Sequence, residues 1–114
     1  MAEYLYIFRG GNDMSKSSPA ELQANMKKWG GWMESLAKQG KLTGGQPLTR
    51  EGKVMRGTKK TVTDGPYAEA KDLVGGYLLV KAESLAEATE LASGCPIFEY
   101  DGTVEVRPIQ QMDM

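Results

Sequence analysis

The 114-residue chain contains no histidine and a single cysteine, Cys95. Without histidine there is no Ser-His-Asp or Cys-His catalytic arrangement, no imidazole metal ligand and no histidine general base. One cysteine forms no internal disulfide and builds no soft-ligand metal site by itself, so neither a metal nor a cofactor is expected, and the thiol suits a reducing, cytoplasmic setting. Cys95 follows Gly94 at the end of a helical pattern, where the helix dipole disfavours a thiolate, and it reads as a buried structural thiol. No apolar run approaches membrane-spanning length, so no membrane association is expected. Strand-like sequence from Glu3 leaves no space for a cleavable leader. The glycine pairs at 10–11, 44–45 and 75–76 lack the Lys and Ser/Thr of a phosphate-binding loop.

What is present is ordinary for one globular domain, taken as residues 1–114: 40% hydrophobic and 25% charged residues. The formal net charge of −1 conceals an asymmetry. Residues 1–60 hold eleven Lys and Arg against five Asp and Glu, a net of +6, whereas residues 61–114 hold three against ten, a net of −7. A basic half is one signature of a nucleic-acid surface, but these lysines are scattered over several elements without interleaved aromatics. The expectation is that the halves neutralise each other in one fold, with no direct nucleic-acid binding.

Alternation in "EYLYIFR" (3–9) makes a strand with two apolar faces, Tyr4, Tyr6 and Phe8 against Leu5 and Ile7. Ser18-Pro19-Ala20-Glu21 is a helix start with an N-cap, a proline at the first position and a capping box. Leu22, Met26, Trp29, Met33 and Leu36 continue it as an apolar stripe that stops at Gly40. Gly30 and Gly31 inside this helix each cost about 1 kcal/mol relative to alanine. They mark either a close approach of backbone or ligand, or a tolerated weak spot. Trp29 lies in the stripe as core, whereas Trp32, about 60° to one side, is core edge or pocket wall.

A short strand is expected near Lys53–Arg56, a second at Thr61–Thr63, and a third, again apolar on both faces, over 75–81. Ser84-Leu85-Ala86-Glu87 caps a second helix with Leu85, Ala88, Leu91 and Ala92 inward, and "TVEVRPI" (103–109) forms the last strand. The order β, α, β hairpin region, α, β predicts an α+β fold of the ferredoxin-like βαββαβ type, two helices on one face of an antiparallel sheet. Two helices cover one face only. The two-faced strands therefore imply a homodimer in which a second copy covers the other.

The remaining chemistry is carboxylate and cation. Asp64, within Asp64-Gly65-Pro66, is a turn residue or the polar centre and candidate catalytic group of a site. Glu69, Lys71 and Arg107 are candidates for orienting a polar substrate, with Trp32 and Tyr77 as apolar walls. Glu105 and Arg107 share a strand face, as a surface ion pair or, if that face is enclosed, as ligand anchors.

The ordered motifs "DGPYAEAKDLVGGYLLV", "SLAEATELASGCP" and "GTVEVRPI", with Trp29, Trp32, Leu36, Gly40 and Leu42 on the first helix and beyond it, resemble the YCII-related family, in its branch named for an Asp-Gly-Pro-Phe motif. Tyr67 replaces the usual Phe and Asp72 a common Glu. The resemblance implies a ferredoxin-like fold dimerising into an α/β barrel with a pocket at the dimer cleft. The superfamily includes small cofactor-free enzymes with a suggested His-Asp pair, which this histidine-free chain does not reproduce. Some members occur beside or fused to extracytoplasmic-function sigma factors. Two functions follow: binding or cofactor-independent acid/base transformation of a small polar molecule, or a non-enzymatic interaction module in transcription regulation.

Overall fold

The computed structural model describes residues 1–10, 18–65 and 72–112. Its elements run in the order β1 (Ala2–Arg9), α1 (Pro19–Lys38), β2 (Leu42–Pro47), β3 (Gly52–Arg56), β4 (Thr61–Gly65), β5 (Val74–Ala82), α2 (Leu85–Ala92), a 3-10 helix (Pro96–Tyr100) and β6 (Thr103–Pro108). Strands β2-β5-β1-β6 form one antiparallel sheet, which with α1 and α2 is the expected α+β, ferredoxin-like arrangement. Strands β3 and β4 form a separate two-stranded ribbon between β2 and β5. Among the described residues no helix is long and apolar enough to cross a membrane.

Both helix starts behave as their sequences require. Ser18 Oγ accepts from the Glu21 amide at 3.2 Å and Ser84 Oγ from the Glu87 amide at 3.1 Å. Helix α1 closes at Gln39, and Gly40 takes the left-handed conformation at φ 69°.

Pairing of Tyr4 with Val80 and of Tyr6 with Leu78 puts these side chains on the helix side, where they are buried with Phe8, Leu36, Ala88, Ala92, Cys95 and Ile97. The aromatic layer is ordered by edge and face contacts: Tyr6 stacks on Trp32 at 6.2 Å and Phe8 meets Trp29 edge-on at 5.2 Å. Such pairs add about 0.5–1.5 kcal/mol each beyond area burial. The Tyr6 hydroxyl donates to the backbone carbonyl of Ala88, tying the sheet to α2 where its buried residues are alanines. Two stripe positions differ from the sequence pattern. Met26 is 71% exposed and Leu85 47%, whereas Trp29, Trp32, Met33 and Leu36 of α1 and Ala88, Leu91 and Ala92 of α2 pack on the core.

Strand β2 was not evident from its sequence, since "LTGGQP" is rich in residues poor at forming strands. It pairs as the sheet edge on β5 with a register shift between Leu42 and Gly44. The close approach explains the glycine. Gly45 sits at φ 151°, and a Cβ there would lie 2.4 Å from Leu78 Cδ2 and 2.5 Å from the Tyr77 carbonyl oxygen.

The other sheet face carries Leu5 and Ile7 of β1, Tyr77 and Leu79 of β5, and Glu105 and Arg107 of β6, joined through the pairs Leu5–Leu79, Ile7–Tyr77, Ile7–Glu105 and Leu5–Arg107. Among the described residues no helix covers it.

Candidate functional site

The helix-side layer is not closed at one end. There β1 finishes at Arg9, β5 begins at Val74, and the glycines of β2 and β5 bring no side chains inward. The result is a cleft of about 690 Å³ between α1 and the sheet. Met26, Trp29, Gly30 and Met33 form the α1 wall, and Phe8 and the Gly75–Leu78 segment the floor. Gly45, Gln46 and Pro47 of β2 close one side, and Ile97 and Tyr100 of the 3-10 helix also reach it. Polar groups among the described lining residues are few: the side-chain amides of Asn25 and Gln46 and the Tyr100 hydroxyl.

Gly30 is the informative residue of this wall. A Cβ placed on it, or on Gly31, meets nothing within 4 Å. Among the described residues no backbone packs against the glycine pair, which leaves a ligand or a tolerated weak spot as what the pair reflects.

A second depression, of about 720 Å³, lies on the far side of α1 against the 3-10 helix and is a shallow surface groove, spanned by the Lys28–Glu99 ion pair at 2.8 Å. Trp32 belongs to this side. Its indole N–H donates to the Leu91 carbonyl at 3.1 Å while its ring stacks on Tyr6. Both tryptophans pack against the core: Trp29 also lines the cleft, and Trp32, expected as core edge or pocket wall, anchors α1 to α2 and lines this groove.

Asp64 is not in a turn. It lies within β4 directly opposite Lys53 of β3, ion-paired with it, and its side chain is 77% exposed. The turn of the ribbon falls instead at Gly57–Lys60, where both residues take positive φ. Tyr77 and Arg107 are brought onto one surface, the uncovered sheet face, with Leu5 and Ile7 between them. There Glu105 lies 3.4 Å from Arg9 and 3.8 Å from Arg107. Asp64, on the ribbon, belongs to a different sheet. Glu69 and Lys71 lie outside the described residues. Beyond them, the carbonyl of Leu73 accepts from the amide of Gly10, itself a cleft residue.

Two buried groups carry strongly displaced acidities. Burial pushes the Tyr6 hydroxyl up to about 12, with the neighbouring Cys95 and Glu87 adding to it, and burial pushes the Cys95 thiol up to about 11 against a smaller opposing hydrogen bond at Ile97. At neutral pH Cys95 is a protonated core thiol, which agrees with its structural reading; desolvation is the main cause, not the helix end. Glu87 is held below its usual range by Lys41, whose Nζ lies 3.0 Å from its Oε1. Among the described residues no three His, Cys, Asp or Glu side chains gather as a metal site.

Sequence comparison matches residues 5–113 to the YCII-related domain. The chain belongs to the YCII-related domain family. No curated protein matches it. Among solved structures it is similar to 5-chloro-2-hydroxyhydroquinone dehydrochlorinase from Burkholderia phenoliruptrix AC1100, in complex with 2,5-dihydroxybenzoquinone, at 18% identity over 96% of this chain and 95% of that one, with a TM-score of 0.48. In this YCII-related domain the residues that sequence reasoning missed are Asn25, Met26, Gln46 and Tyr100. Their one legible signal was the glycine pair between the tryptophans, which costs helix stability and read as either a close approach or a tolerated weak spot.

Proposed function

We propose that this YCII-related domain binds a small, flat, largely uncharged molecule in the cleft between α1 and the sheet. The observation that carries the reading is Gly30, a helix-interior glycine facing open space within a concavity walled by Trp29, Phe8, Met26 and Met33. A volume of about 690 Å³ is in the range of small-molecule sites, and an apolar wall with a few amide and hydroxyl groups suits a ring with polar edges. Transformation of the ligand by cofactor-independent acid/base chemistry is part of the proposal. Its candidate groups from the sequence include Glu69 and Lys71. The assembly proposed is a homodimer, supported by the uncovered apolar surface of Leu5, Ile7, Tyr77 and Leu79; in it Arg107 and Glu105 are interface residues rather than ligand anchors.

The test is titration of the protein with 2-naphthol and, separately, 2-naphthoate, followed by calorimetry and by tryptophan fluorescence. Gly30→Leu is the decisive variant. It removes a helix-destabilising glycine, so it folds, and its side chain enters the cleft. The expected result is quenching by 2-naphthol, weaker binding of the anion, and loss of both signals in Gly30→Leu. Undiminished binding by Gly30→Leu would place the ligand elsewhere.

A further inference from the structure

The β3–β4 ribbon has no hydrogen-bonded neighbour in the main sheet. A lone two-stranded ribbon is marginal in water and needs a surface to lie on. The Cα radius of gyration is 15.8 Å, against about 13 Å for a compact domain of this length, and the molecule measures 48 × 45 × 19 Å. A projecting arm accounts for the excess.

The ribbon's register puts Met55 opposite Val62 and Lys53 opposite Asp64 on one face. Met55 is 63% and Val62 51% exposed, an apolar pair left open among the described residues. Beyond it the tip carries Arg56, Lys59 and Lys60, which make no ion pair among the described residues. Residues 48–65 hold five Lys and Arg against two Asp and Glu, whereas residues 72–112 hold two against seven. Glu83 and Glu90, flanking and within α2, and Asp101 after the 3-10 helix are all exposed. One chain thus carries a basic arm with an apolar face and an acidic body.

We infer that the arm docks on a second copy of this chain, burying Met55 and Val62 and setting Arg56, Lys59 and Lys60 against the acidic α2 and 3-10 surface of the partner. Part of the charge asymmetry is neutralised within the chain, through Arg9–Glu105, Lys28–Glu99, Lys41–Glu87 and Lys53–Asp64; the charge at the arm's tip is then complementary to the partner. The inference rests on the homodimer proposed above and adds a second contact to it, distinct from the sheet face. Charge pairing of this kind steers association and fixes register, and it is screened by salt.

The experiment uses the full chain. Sedimentation equilibrium of the wild type is compared with Met55→Glu/Val62→Glu and with Lys59→Glu/Lys60→Glu. Carbodiimide cross-linking is then run on an equal mixture of natural-abundance and nitrogen-15 protein. The expected results are a wild-type dimer, at least tenfold weaker dimerisation in both variants, a dimer constant that loses its salt dependence in the lysine variant, and mixed-isotope cross-links from Lys59 or Lys60 to Glu83, Glu90 or Asp101. A dimer unchanged by either variant, or cross-links found only within one chain, would overturn the arm and leave the sheet-face dimer standing. A monomeric wild type would overturn both. Retention of a short DNA duplex by the wild type that is lost in Lys59→Glu/Lys60→Glu would assign the tip to a nucleic acid instead.

Discussion

Replacing Tyr6 by phenylalanine isolates one bond in the middle of the fold. The ring keeps its stack on Trp32 and its edge contact with Phe8, and only the donor to the Ala88 carbonyl is lost. Such a buried neutral hydrogen bond is worth about 0.5–1.5 kcal/mol, so Tyr6→Phe should be less stable by about 1 kcal/mol at pH 7. The acidity of Tyr6 turns that cost into a function of pH. With a folded value of about 12 against 10.0 for the free side chain, the folded state holds the proton more tightly than the unfolded one. The stabilisation is complete below pH 10 and is lost as pH rises towards 12. At pH 10.5 the wild type should have lost about 0.8 kcal/mol through this residue, and phenylalanine loses nothing. The gap between the two proteins should therefore nearly close. Urea unfolding followed by far-ultraviolet circular dichroism, at one protein concentration and at pH 7, 9 and 10.5, measures it. Cys95 titrates in both proteins and cancels in the difference. A gap that stays constant from pH 7 to 10.5 would refute the assignment of a buried, proton-retaining hydroxyl.

Gly45→Ala should destabilise the protein by more than about 2 kcal/mol in thermal unfolding, because φ 151° and a Cβ 2.4 Å from Leu78 Cδ2 leave no unstrained position. Gly31→Ala, with open space at the same test, should be neutral or stabilising, and a loss of stability there would contradict the reading of α1. Glu87→Gln should flatten the acid limb of the stability curve. Lys41 holds the Glu87 carboxyl below its usual range, so its contribution is present at neutral pH and lost as pH falls through the carboxylate range; an unchanged acid midpoint would show that the pair does not act in this way.

Several elements were legible from local sequence because local forces decide them. Ser18 and Ser84 with glutamates three residues on specify helix starts through their own amides, and alternation in 3–9 and 75–81 specifies strands with two apolar faces. The ferredoxin-like order follows from those elements. The family followed from motifs spread along the chain, and the match over residues 5–113 agrees. The absence of histidine by itself restricts the chemistry. What tertiary structure alone decided was which groups meet. Strand β2 exists because the edge of β5 offers pairing that outweighs the poor propensity of Gly44, Gly45 and Pro47. Asp64 reads locally as a turn, yet lies in a strand, since its partner Lys53 is set by ribbon register and not by the Asp-Gly-Pro triplet. Trp29 and Trp32 are three residues apart on one helix, and their opposite roles depend on the positions of Phe8, Leu91 and the second helix. Helical periodicity tells which residues share a side. Where that side ends and open space begins is set by the packing of elements distant in sequence, and so the cleft beside Gly30 was visible beforehand only as an unexplained cost.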